Sequence, residues 1–172
     1  MKKHLRLVHR LRIPGSDAGH LTKQSTTGLA AITYAADDGK TLTHAFGQFF
    51  PIPGAQNTLH IVYDPPSRLY WMAGNIPIDS LGPAPGGDDR RILILMYSAD
   101  AHNWFQAGCI AMSKHPREAF NYPFLVPDGD DLLLAVRAKR GESGNQAKSS
   151  HITFHRVRGF RRLALDLPRP EQ

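Results

Sequence analysis

Apolar residues in this chain come in short runs closed by turn residues, and almost nowhere recur at the spacing of a helix face. The runs predict strands at Ala30–Ala35, Leu42–Phe46, Leu59–Tyr63, Leu69–Gly74, Ile92–Ser98, Trp104–Met112, Tyr122–Val126, Leu132–Arg137 and His151–Val157, with a short last strand near Arg161–Leu165. A helical turn is expected only near Pro116–Phe120. ILILMY and LLLAV are apolar for most of their length, as strands buried on both faces are. The reading is all-β.

The runs also repeat. Residues 36–42 (Ala-Asp-Asp-Gly-Lys-Thr-Leu) and 98–104 (Ser-Ala-Asp-Ala-His-Asn-Trp) share a small first residue, a third-place Asp and a large apolar seventh residue, 62 positions apart. LHIVYDPPSRLYWMAGN, from Leu59, overlays YPFLVPDGDDLLLAVRA, from Tyr122, at an offset of 63; each is strand, turn, strand. A period that spans a four-stranded unit is that of propeller blades, and for that reason a β-propeller fragment is preferred to a β-sandwich. The expected organisation is a basic, irregular extension at 1–27, a half blade and its connection at 28–58, a complete blade at 59–120, a final blade at 121–166 and a tail at 167–172.

Composition narrows the function classes. At 172 residues and 41% hydrophobic content the chain can bury a core, and no apolar run is long enough to span a membrane as a helix. The net charge of +6 is uneven: residues 1–27 carry six Lys and Arg against one acid, 28–136 six against eleven, and 137–172 nine against three. HRVRGFRRL has only Phe160 for stacking, so its cations read as a solvated face and no nucleic-acid partner is expected. His4, Arg6, His9, Arg10 and Arg12 interrupt any signal-peptide core, which as written leaves the chain cytoplasmic with its compartment open. Cys109 is the only cysteine, so no intrachain disulfide can form. His151 and His155 share a strand face without acidic or cysteine neighbours, so neither a metal nor a cofactor is expected.

The segment YSADAHNW resembles the Asp-box of sialidases and related bacterial-neuraminidase-repeat proteins, Ser-x-Asp-Gly-x-Thr-Trp. Ser98, Asp100 and Trp104 match; Ala101 and Asn103 depart from it. In the earlier copy Asp38, Gly39 and Thr41 match, while Ala36 and Leu42 depart, and VRGFRRL holds no box. QFFPIPG, LHIVYD and SHITFHRVRGFR also look like the C-terminal half of sialidase-superfamily propellers. The resemblance covers residues 28–166 and implies about two and a half four-stranded blades of a six-bladed propeller, a carbohydrate-related glycoside hydrolase relative that is catalytically incomplete alone. It further implies structural box residues on the outer rim, and a centre where three arginines grip a sugar carboxylate beside a Tyr nucleophile, a Glu and an acid/base Asp.

On that reading the inner strands supply the candidates. Arg137 and Tyr122 are the catalytic or binding candidates, and His60 and Asn75 are ligand-binding candidates. Only Glu118, Glu142 and Glu171 exist to support a Tyr nucleophile, and none is evidently placed for it. The loop Lys139–Ser150 could line a rim. Such a fragment leaves blade faces uncovered, so self-association or further upstream blades are expected partners, besides carbohydrate. The alternatives are a non-catalytic glycan-binding or scaffold propeller, or a five-bladed glycosidase relative. The latter would need three channel acids, whereas Asp64, Asp100 and Asp128 fall in turns.

Overall fold

The computed structural model describes residues 3–10, 29–54, 58–77, 89–141 and 149–166. The chain is all-β. Among the described residues ten strands run in order: β1 (Lys3–Arg10), β2 (Leu29–Asp37), β3 (Leu42–Pro51), β4 (His60–Asp64), β5 (Leu69–Ile76), β6 (Ile92–Ser98), β7 (Phe105–Met112), β8 (Ala119–Asp128), β9 (Asp131–Lys139) and β10 (His151–Val157). They form three antiparallel sheets, β1-β2-β3, β4-β5-β6-β7 and β8-β9-β10. Short antiparallel connections suit this chain because tight Asp, Gly and Pro turns separate its apolar runs.

Three details differ from the strand pattern expected. Lys3–Arg10, assigned to an irregular extension, is a strand paired along its whole length with β2, so the first sheet has three strands where two were expected. The sequence around Leu5 and Leu7 alternates, but its cations mask the period; a strand needs only backbone pairing to extend a sheet. No last strand forms at Arg161–Leu165: Gly159 turns left-handed (φ 55°) and Phe160–Leu163 winds into a 3-10 turn that drops the Phe160 ring into the core. The Pro116–Phe120 segment makes a turn, then enters β8 at Ala119.

The second sheet lies between two apolar cores. One joins it to the third sheet, through Leu69, Trp71, Ala73, Leu93, Leu95 and Tyr97 on one side and Leu125, Leu132, Leu134 and Val136 on the other. Phe160 seals that core with its ring edge-on to Trp71, centroids 4.8 Å apart. The other core gathers Met72, Ile94 and Met96 from the opposite face of the second sheet with Ala30 and Ile52, with Phe50 and Trp104 packed against it. β3 is exposed from Leu42 to Phe49, so the first sheet meets the second through one end.

The 63-residue overlay has a structural counterpart with an unexpected sense. Val62, Leu69, Trp71 and Ala73 correspond to Leu125, Leu132, Leu134 and Val136, and all eight belong to the same core. The two hairpins share their register: Asp64 pairs with Leu69 and Pro127 with Leu132. Like faces therefore meet, as across a local two-fold. The sequence period is real as a hairpin repeat.

Candidate functional site

Hairpin turns crowd one end of the second and third sheets. In the Asp100 turn the carboxylate accepts bonds from the N–H groups of His102 and Asn103, each at 2.8 Å, from the Asn103 amide at 2.8 Å and from the Ser98 hydroxyl at 2.9 Å. Burial pushes this carboxyl up, but those four donors outweigh it and hold it at about 2. Asp38 repeats the backbone pattern, accepting from Lys40 N–H at 2.9 Å and Thr41 N–H at 2.8 Å, and these bonds lower its pKa. Gly39 and Ala101 occupy the same place in the two turns and are both left-handed, at φ 86° and 57°. Trp104 packs against the core between the first two sheets, whereas its counterpart Leu42 is exposed. The box residues Asp38, Gly39, Thr41, Ser98, Asp100 and Trp104 thus shape and anchor hairpins.

The third sheet has no box Asp, yet its Gly159 turn keeps the left-handed residue, and Asp131 accepts the Gly159 N–H at 3.0 Å. From this turn Arg161 reaches across to the second sheet. Its Nε and Nη2 donate to the two Asp64 oxygens at 2.8 and 2.9 Å, and its Nη1 donates to the Gly129 carbonyl and to Asp130. Asp64 is 1% exposed and also accepts from Ser67. The Arg161 bond, helped by Ser67, lowers the Asp64 pKa against its burial. This clamp, between residues 97 apart, had no local signal in the sequence.

The opposite end gathers polar side chains of another kind. Arg90 is buried just before β6; its Nη1 donates to Asn121 Oδ1 at 2.6 Å. The Arg90 carbonyl accepts from Asn75 Nδ2 and from Phe120 N–H. Asn75 also bonds the Ile92 carbonyl at 3.1 Å, so its buried amide holds the approach to β6 in place. Beside this cluster the Ser113 hydroxyl donates to Glu118, and Arg91 makes a two-pronged ion pair with the buried Asp89.

His60 Nδ1 accepts the Leu125 N–H at 3.1 Å, and its ring lies 4.3 Å from that of Phe124. Burial lowers its pKa, which keeps the imidazole neutral as that acceptor role requires. His60 thus ties the first strand of the second sheet to the first strand of the third.

Of the sequence candidates, the fold brings Arg137 and Tyr122 together. β8 carries two residues, Tyr122 and Pro123, opposite the single Val136 of β9, because pairing passes from Asn121–Arg137 to Phe124–Ala135. That bulge, with Tyr122 left-handed at φ 51° although a proline follows, turns the phenol over β9. The Arg137 guanidinium lies 4.9 Å from the centre of its ring. Both side chains are exposed, on the face of the third sheet turned away from the core. No carboxylate of the described residues pairs with Arg137, so the contact offers a cation beside an aromatic face and a phenol, without an acid or base to drive bond cleavage. Of the expected rim loop, residues 142–148 lie outside the described residues, as does most of the loop between β5 and β6. No family model matches the sequence, and no curated protein matches it.

Proposed function

We propose that this chain is a non-catalytic glycan-binding module, related to sialidase-type propeller proteins through its Asp-box turns, and that it recognises a carboxylated sugar on the outer face of β8-β9-β10. The observation that carries this is the exposed Arg137–Tyr122 contact raised by the β8 bulge. A planar guanidinium can grip both oxygens of a carboxylate, and a neighbouring aromatic face suits the C–H surface of a sugar ring. A hydrolytic role finds less support: Tyr122 faces an arginine, Glu118 is engaged by Ser113, and Asp89 by Arg91.

Titration with N-acetylneuraminic acid by ligand-observed NMR tests the reading. Saturable binding is expected, weakened about tenfold or more in Arg137→Ala, because a charged hydrogen-bonded pair is lost. Absence of binding at millimolar ligand rejects it.

A second reading is favoured by the matching Asp38 and Asp100 turns: a propeller segment that needs further blades for hydrolysis. On that reading also the isolated chain leaves a fluorogenic sialoside intact. Turnover by the purified chain would sink both.

A further inference from the structure

Beyond a single sugar, the outer face of the third sheet has the form of a trough. Along its floor run Ala135 and Arg137 of β9. Ala135 pairs with Phe124 on one side and with Phe154 on the other, so the three stand in one row across the sheet. Phe124 is 53% exposed, with the His60 ring against part of it, and Phe154 is 81% exposed. Two strand spacings separate the two phenylalanines, about 10 Å, with only a methyl group between them. Large apolar rings held this far into water on a sheet face are costly unless something covers them.

We infer that the trough takes an oligosaccharide: the carboxylated sugar at Arg137–Tyr122, and the next, neutral sugar between the Phe124 and Phe154 rings over Ala135. This deepens, and rests on, the carboxylated-sugar reading above. A glycan is favoured over a second copy of this chain because Arg137 lies on the same face, one row from the phenylalanines. An acidic sugar complements the arginine. Ring faces without acceptors suit a neutral sugar's C–H surface, and the small floor residue leaves depth for it.

The inference is tested by isothermal titration of the full chain with N-acetylneuraminic acid and with sialyllactose, for wild type and the variants Phe154→Ala, Ala135→Leu and Arg137→Ala. Wild type is expected to bind the trisaccharide more tightly than the free acid. F154A and A135L should weaken the trisaccharide about tenfold while changing the free acid far less, and R137A should weaken both. Circular dichroism of each variant checks that it folds; Phe154 is too exposed for its loss to disturb the core. If F154A and A135L affect both ligands alike, or neither, the neutral subsite is wrong while the carboxylate reading stands. If wild type binds neither ligand, that reading falls and the subsite with it. A dimer in sedimentation that F154A dissociates, without sugar binding, would make this face a self-association surface and overturn both.

Discussion

At the residue scale, the two box turns show how one backbone demand is met by different side chains. Gly39 and Ala101 sit at equivalent left-handed positions, and a Cβ added at Gly39 would meet nothing within 4 Å. Gly39→Ala should therefore cost about 1 kcal/mol from backbone conformation alone, measurable as a lower urea midpoint with unchanged slope. Asp100 supports a pH prediction. Its carboxyl stands at about 2 in the folded chain against the ordinary 3.8, so the folded state favours the charged form. The stabilisation is complete above the unfolded value and is lost as pH falls from about 4 to about 2. Because the residue is exposed, screening reduces it to about 1 kcal/mol. Asp100→Asn should flatten the fall in stability between pH 4 and pH 2; an unchanged acid limb would contradict the assigned bonds.

At the scale of elements, the 3-10 turn after β10 replaces a strand and a box with a clamp. Arg161 binds the buried Asp64 of the second sheet and the β8–β9 turn of its own. Arg161→Ala would strand the Asp64 carboxylate in a nearly water-free site, which typically costs about 3–5 kcal/mol. Equilibrium unfolding of R161A alone and of R161A with Asp64→Ala distinguishes this from lost packing: the double variant should recover part of the loss, and a double variant as unstable as the sum of both changes would refute it. The His60–Leu125 bond is a second tie between the same sheets. Its imidazole must be neutral to accept the N–H, and protonation below its lowered pKa removes that acceptor, so the second and third sheets should be less tightly joined in hydrogen exchange as the pH falls, a dependence that His60→Ala should abolish.

At the scale of the whole molecule, three sheets are held by two cores of unequal extent. The core between the second and third sheets contains Trp71, Tyr97 and Phe160, all essentially buried. Phe160→Ala opens that core where the 3-10 turn seals it and should cost about 3–5 kcal/mol, seen in urea unfolding followed by tryptophan fluorescence. Among the described residues, Arg137, Tyr122, Phe124 and Phe154 stay exposed on the outer face of the third sheet while its inner face is packed, and the proposed ligand surface rests on that asymmetry.

Local chemistry was legible in the sequence. Period-two and continuous apolar runs marked nine of the strands, and Asp38 and Asp100 announced hairpins whose carboxylates bond the turn's own N–H groups, because those interactions span only two or three residues. The pairing of Tyr122 with Arg137 depended on a bulge that no spacing rule marks, and Arg161 found Asp64 only once two sheets had packed. The hairpin repeat foretold similar units but not the sense in which they meet. Alternation gives each strand two faces, and when a run is apolar on both, as Leu132–Val136 is, only the competition among sheets for contact decides which face is buried and which meets water.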